Sequence, residues 1–216
     1  GSRVAESPVP DCSETEIQAV CRSFTGPLDQ VPPIYSALKH KGVPLYKHAR
    51  LGKPIQKPAR QIVVFALHIT EIQLPYIRFE VTCSAGTYIR TLGADIGKKL
   101  GCGGHLKALR RLESSGFSTA DAMTLETFEQ RVADEPFSRY AVGMTEALET
   151  MPERVADHDL INKIVNGVPL TQKDVVLEEP ADKGRFIKLI DANRELLAVI
   201  EPSKISGEYV YCCVFN

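Results

Sequence analysis

Ser84-Ala85-Gly86-Thr87-Tyr88-Ile89-Arg90-Thr91 is the segment of this sequence richest in chemical possibility. An alternating apolar run ends just before it, a glycine permits a sharp turn, and apolar residues then recur at helical spacing. Tyr88 and Arg90 therefore fall in the first turn of a helix. A cation at that end opposes the helix dipole, which favours anions. The arrangement makes sense if Arg90 meets a carboxylate or phosphate where the backbone N–H groups also point. Tyr88 beside it can offer its ring to a nucleic-acid base. On the residues alone a structural role is the more common outcome, with Tyr88 in the core and Arg90 in a structural ion pair.

Charge distribution sharpens the choice. With 26 Lys+Arg against 27 Asp+Glu the net charge is −1, which by itself argues against a nucleic-acid partner. Yet no acid lies between Gln30 and Thr70, where Lys39, Lys41, Lys47, Arg50, Lys53, Lys57 and Arg60 fall together with His40, His48 and His68. A second acid-free stretch, Ile96 to Leu112, holds Lys98, Lys99, Lys107, Arg110 and Arg111. Eleven acids then face only Arg131, Arg139 and Arg154 between Glu113 and Asp159. Such asymmetry points to one anion-binding face on a nearly neutral protein, the alternative being a solvated basic surface. His40 and His48 invite an acid–base reading, but histidines in a basic loop more often touch phosphate or water, and no catalytic role is assigned to them.

The six cysteines form no CxxC pair and have no histidine at zinc-ligand spacing, so no metal is expected and they read as small buried apolar residues. No apolar run approaches the roughly 20 residues of a membrane span, and no signal peptide precedes the first helix. A reducing cytoplasm fits. Gly1-Ser2 resembles an expression remnant and is excluded from fold reasoning.

The elements that must position these residues are of mixed type. Ser13-Glu14-Thr15-Glu16 forms a capping-box pattern ahead of Ile17, Val20, Cys21 and Phe24, predicting a short amphipathic helix closed by Gly26-Pro27. Residues 31–60, with five prolines and little periodicity, read as a basic loop with at most a short helix near Leu45 to Leu51. Gln61–Thr70 and Tyr76–Cys83 read as a strand hairpin. Ile89, Leu92, Ile96 and Leu100 mark a helix ended by Gly101, and His105–Glu113 suggests another strand. Thr124 caps one further helix through Val132. Beyond Met151-Pro152 the chain turns to short strands, after a helix begun by Asp157 and ended at Asn166-Gly167. Phe186–Ile190 and Leu196–Ile200 form a hairpin, and Tyr209–Phe215 is the last strand. The resulting expectation is an α+β fold: a domain over 3–150 carrying the basic loop, and a small β-rich domain over 152–216.

Val31-Pro-Pro-Ile-Tyr-Ser-Ala-Leu-Lys39 with Gly42, Leu45-Tyr46 and Ala49-Arg50-Leu-Gly52 is followed by Cys83-Ser-Ala-Gly-Thr-Tyr-Ile-Arg-Thr91, Leu100-Gly-Cys-Gly-Gly-His105 and Leu109-Arg-Arg-Leu112. In order and spacing these motifs resemble the TruB family of bacterial tRNA pseudouridine synthases. The likeness covers essentially the whole chain, and the C-terminal module is similar to a PUA-like RNA-binding domain.

The resemblance implies part of a pseudouridine synthase catalytic domain, with a mixed or antiparallel sheet and flanking helices. It implies an isomerase that flips a uridine out of the tRNA T loop, detaches the base, turns it and rejoins it through C5, with no cofactor or metal. In the family the reaction depends on an aspartate in a Gly-x-Leu-Asp-Pro motif upstream of the stretch with which this chain begins. Thr25-Gly-Pro-Leu-Asp29 imitates that motif but precedes Val31-Pro-Pro, where the family has a different loop, so Asp29 is read as a decoy. By the same resemblance, Arg90 pairs with the aspartate, Tyr88 contacts the flipped uracil, and Leu109 lines the base pocket. Lys39, Lys41, Arg50, Arg110 and Arg111 contact the RNA backbone. This chain alone is expected to be inactive. Its truncated sheet is expected to be covered by another copy, by an N-terminal fragment or by a rearranged strand. Two alternatives stand beside this reading: a non-catalytic module that holds the T arm, and a guide-RNA-dependent relative of the same fold. The lack of a long lysine-rich C-terminal extension counts against the second.

Overall fold

The computed structural model describes residues 5–177, 186–203 and 207–215. The outer limits of the expected domains, Arg3 and Asn216, lie outside the described residues, as do Gly1 and Ser2. Two compact units make up the chain, Gly1–Arg110 and Arg111–Asn216.

In the first unit, helix α1 (Glu14–Arg22) starts at the expected capping box: the Glu16 N–H donates to Ser13 Oγ at 3.3 Å, and Glu16 Oε2 accepts the Ser13 N–H at 2.8 Å. Its apolar stripe buries Ile17 and Cys21. After it comes strand β1 (Gly26–Gln30), which sequence reasoning did not anticipate because Gly26-Pro27 reads as punctuation. Pro27 is tolerated because β1 lies at the edge of its sheet. Strands β2 (Lys39–His40) and β3 (Val43–Pro44) and helix α2 (Leu45–Arg50) follow. Then come β4 (Arg60–Gln73), β5 (Tyr76–Cys83) and helix α3 (Ile89–Lys99).

The sheet order is β1-β4-β5, antiparallel throughout. Alternation decides which face is covered: Ile77, Phe79 and Val81 are half-buried while Arg78, Glu80 and Thr82 are exposed. The core joins Ile17 and Cys21 of α1 and Leu92 and Ile96 of α3 to Ile62, Val64 and Leu67 of β4. Each such large apolar side chain contributes on the order of 1.5–3 kcal/mol by leaving water. Helix α3 ends at Leu100, with Gly101 at φ 90° as expected. Near that end its backbone touches the following loop directly. A Cβ on Gly97 would lie 2.4 Å from the carbonyl of Gly103 and the nitrogen of Gly104, so this crossing requires glycine.

The segment 31–60 is more ordered in architecture than its prolines suggest. Lys41 (φ 48°) and Gly42 (φ 83°) both take the left-handed conformation and close the β2–β3 hairpin, a tight turn in which Gly costs nothing and Lys is strained. The short helix expected near Leu45 is α2, anchored by a fully buried Leu45 and by Ala49. The strand expected over His105–Glu113 does not form. Leu109 and Leu112 are 63% and 47% exposed, and with no face to bury, the run stays irregular until Glu113.

The second unit opens with the hairpin of β6 (Glu113–Ser114) and β7 (Phe117–Ser118), turned by Ser115 and Gly116 at positive φ. Helix α4 (Leu125–Val132) is capped by Thr124 as expected, yet it has no fully buried residue; the Phe128 ring instead meets Phe137 and Tyr140 edge-on. Helix α5 (Met144–Ala147), strand β8 (Glu153–Val155), helix α6 (His158–Val165) and β9 (Leu170–Thr171) lead into β10 (Ile187–Ile190), β11 (Leu196–Pro202) and β12 (Glu208–Val214). The sheet runs β8-β10-β11-β12-β9, with β8 and β10 parallel. Asp157 caps α6 by accepting the Leu160 N–H at 2.9 Å, and Leu160 and Ile164 pack on Ile187, Leu189, Ala198 and Ile200.

Residues 111–150 group with this module in the structure. Leu148 and Met151 pack on Ile190, Leu196 and Val199, and the buried Lys188 donates to the carbonyls of Thr145 and Leu148, both at 3.1 Å. The cysteines depart from expectation too. Cys21 is buried, but Cys212 and Cys213 are exposed on β12, where a bulge interrupts the in-and-out alternation.

Candidate active site

The turn between β5 and α3 is built by its own small residues. Ser84 continues the sheet, its N–H donating to Val63 O at 2.8 Å while its Oγ accepts the Val63 N–H at 2.9 Å. Thr87 Oγ1 donates back to Ser84 O at 2.8 Å. Gly86 turns the chain at φ 82°, a conformation that side chains oppose, and brings its carbonyl to the Arg60 guanidinium, whose Nη2 donates to it at 2.6 Å. Tyr88 is the residue flanking α3, in extended conformation, and no side chain caps the helix.

Two side chains from the start of the sheet fix Tyr88. The amide of Gln30, a residue only 3% exposed at the end of β1, accepts the Tyr88 N–H at 2.8 Å and donates to the Tyr88 carbonyl at 3.1 Å. The Arg60 guanidinium lies over the Tyr88 ring, 5.2 Å from its centroid. In the sequence Arg60 is one of several basic residues and nothing marks Gln30. The signal was the parity of β1, which directs Gln30 and Asp29 to opposite sides. Asp29 is exposed, and its strand position pairs with Gln61.

In the first turn of α3, the exposed Arg90 donates from Nη2 to the carbonyl of Tyr35 at 2.9 Å. Among the described residues no carboxylate pairs with it. A guanidinium has five N–H donors in a planar fork, so most remain for a carboxylate or phosphate. Of the sequence-predicted residues, the structure thus places Tyr88 and Arg90 within one turn, with Gln30, Tyr35 and Arg60 around them. Leu109 stands exposed and outside the buried clusters.

The basic residues sit where solvent reaches them. Lys39 lies on β2 and Lys41 in the β2–β3 turn, and Arg50 ends α2 with its guanidinium 5.4 Å from the Tyr46 ring centroid. Lys47, His48 and Arg50 in the last turn of α2 suit the negative end of its dipole. Loss of solvation, followed by the charges of Lys57, Lys41 and His48, lowers the His40 pKa below its ordinary value, favouring a neutral ring. Lys57 Nζ lies 3.4 Å from its Nδ1. Arg110 is exposed, and Arg111 donates to Ser114 Oγ at 3.1 Å. Among the described residues no group of three His, Cys, Asp or Glu side chains could hold a metal, and no helix is long and apolar enough to cross a membrane.

Comparison with known proteins identifies relatives of this chain. Residues 1–89 match the family described as TruB family pseudouridylate synthase (N terminal domain), and residues 90–150 match the tRNA pseudouridylate synthase B C-terminal domain. The tRNA pseudouridine synthase B of Syntrophotalea carbinolica is 38% identical across all of this chain, which covers 72% of that protein. That of Burkholderia mallei is 37% identical over 89% of the chain, which covers 64% of that protein. Solved structures agree on the fold. A Cbf5–Nop10–Gar1 complex matches with TM-score 0.72 and 24% identity over 97% of this chain and 63% of that one. An archaeal box H/ACA Nop10–Cbf5 complex matches with TM-score 0.67 and 25% identity over the same shares, 97% and 63%. With these relatives, and with the Ser84–Thr91 turn in place, the chain belongs to the TruB family of tRNA pseudouridine synthases.

Proposed function

We propose that this chain forms the uridine- and RNA-handling part of an isomerase that converts a T-loop uridine of tRNA to pseudouridine in the cytoplasm. The observation that carries the reading is the exposed Arg90, held to the Tyr35 carbonyl within one turn of Tyr88 and with most of its fork open. Arg90 would keep an aspartate nucleophile ionised and aimed, because an adjacent guanidinium favours the charged carboxylate. Tyr88 contacts the flipped uracil, and Leu109 lines the base pocket. Lys39, Lys41, Arg50, Arg110 and Arg111 neutralise backbone phosphates. Asp29 would not serve as the nucleophile, a reading supported by its exposed place on β1, where Gln30 and not Asp29 bonds to Tyr88.

It follows from this reading that residues 1–216 alone bind a T-arm RNA without isomerising it. The free edges of β1 and β5 would be paired by a further segment of the complete protein or by a second copy. The test is pseudouridine formation on a T-arm RNA by the protein at its full encoded length, beside the 216-residue chain. Turnover by the longer protein alone supports the reading. Turnover by the 216-residue chain would place the nucleophile within it, and RNA binding with no turnover by either would favour a non-catalytic module that holds the T arm.

A further inference from the structure

Tyr88 has two roles to reconcile: its ring must face solvent to meet a base, and its backbone must start α3. Those demands conflict unless something other than packing of the ring fixes the residue, since Tyr88 is only half-buried. No side chain caps the helix, and Gly86, two residues earlier, is a flexible point held at positive φ. The turn therefore needs an external brace.

Gln30 supplies it in an unusual form. Its side-chain amide has the same donor and acceptor as a peptide group, and it exchanges both hydrogen bonds with Tyr88, at 2.8 and 3.1 Å, as a neighbouring strand residue would. Gln30 itself is 3% exposed, which shields its end of the pair from competing water. Arg60 completes the brace from the first residue of β4. One of its nitrogens donates to the Gly86 carbonyl at 2.6 Å while the guanidinium covers the Tyr88 ring at 5.2 Å. Position β1↔β4 of the register pairs Gln30 with Arg60, so the two braces are neighbours across one ladder.

We infer that Gln30 and Arg60 are positioning residues for the pseudouridine synthase reaction: they clamp the backbone and ring of Tyr88 so that Tyr88 and Arg90 hold a fixed geometry toward the target base. This rests on the proposed role of Tyr88 and Arg90. Neither positioning residue needs to touch the reacting atoms. Their effect is on the chemical step, because catalysis depends on prearranged geometry more than on binding strength.

The experiment uses the protein at its full encoded length and measures single-turnover pseudouridine formation, RNA dissociation constant and hydrogen exchange at the Tyr88 amide. Gln30→Leu is expected to slow the single-turnover rate about tenfold or more, with affinity within about twofold and faster exchange at Tyr88. Arg60→Ala should slow it likewise, and Arg60→Lys, which keeps a cation over the ring, should recover part of the rate. If Gln30→Leu fails to fold, Gln30→Glu substitutes: it can still accept the Tyr88 N–H but sets a carboxylate oxygen against the Tyr88 carbonyl, and the same split is expected. Wild-type rates in these variants, or equal losses of rate and affinity, overturn the clamp while leaving the proposed function standing. An inactive wild-type protein overturns both.

Discussion

Lys188 and Glu153 form an ion pair at 3.2 Å in which the lysine side chain is 3% exposed and the carboxylate 35%. The same ammonium donates to the carbonyls of Thr145 and Leu148, while Glu153 also takes both guanidinium nitrogens of Arg194, at 3.1 and 3.2 Å. One buried cation thus ties the end of α5 to the first and second strands of the sheet. Lys188→Met keeps the length of the side chain but removes the charged donor from both carbonyls, which keep only the N–H groups of Leu148 (3.3 Å, to Thr145 O) and Met151 (3.0 Å, to Leu148 O), and takes the buried partner from Glu153. The expected cost is about 1–3 kcal/mol, read as a lower urea midpoint for the unit from Arg111 onward. An unchanged midpoint would mean that the backbone donors suffice for those carbonyls and that the ion pair adds nothing net.

Asp174 titrates unusually low. The Lys163 ammonium, then the N–H and hydroxyl of Thr171, hold its carboxyl at a pKa of about 2, from an ordinary 3.8. A folded-state pKa below the unfolded one gives stability that is present above about pH 4 and is lost as pH falls toward 2. Melting temperature measured from pH 6 down to 2 should therefore fall in that window, and Asp174→Asn should flatten the fall. A variant with the wild-type acid profile would assign the loss to other carboxylates.

Gly97→Ala should destabilise the first unit. Its Cβ would meet backbone atoms of Gly103 and Gly104 at 2.4 Å, and backbone yields less readily than a side-chain tip. Overpacking of this kind costs about 1–3 kcal/mol. Gly101 has open space around it but sits at φ 90°, so Gly101→Ala should cost through strain instead, and Gly101→Asn less than Gly101→Ala. Thermal melts of the three variants distinguish the two mechanisms.

For RNA binding, Lys41→Ala, Arg50→Ala and Arg110→Ala should each weaken affinity and lower the slope of log K against log salt by about one. Arg90→Ala in the full-length protein should mainly slow the chemical step. Titrations at several salt concentrations, set beside single-turnover rates, check both; equal effects of Arg90→Ala and Arg110→Ala on rate and affinity would erase the distinction.

What could be read in the sequence was what local chemistry decides. The Ser13–Glu16 cap, the β4–β5 alternation, the α3 stripe with Gly101 and the Asp157 cap all lie within a few residues of the signals that specify them. What escaped was non-local. Strand β1 exists because β4 pairs with it, and Gln30 matters because of a partner 58 residues away. His105–Glu113 reads as a strand only because apolar residues are present, without a surface to bury them. The Lys41-Gly42 turn was legible in principle, since two left-handed residues make a tight hairpin, but the surrounding prolines masked it.

The contact of Gly97 with Gly103 and Gly104 has a further meaning for the loop beyond it. With no side chain between helix and loop, Gly104 is a pinned origin, and the six residues from there to Arg110 reach at most about 20 Å when fully extended. Arg110 is thus a tethered cation whose backbone can sweep only a sphere of about that radius around the last turns of α3. Whatever phosphate it meets must come within an arginine's length of that sphere, so a photoreactive group placed at residue 110 would act as a ruler, marking the RNA nucleotides that pass nearest the C-terminal end of the helix that begins beside Tyr88.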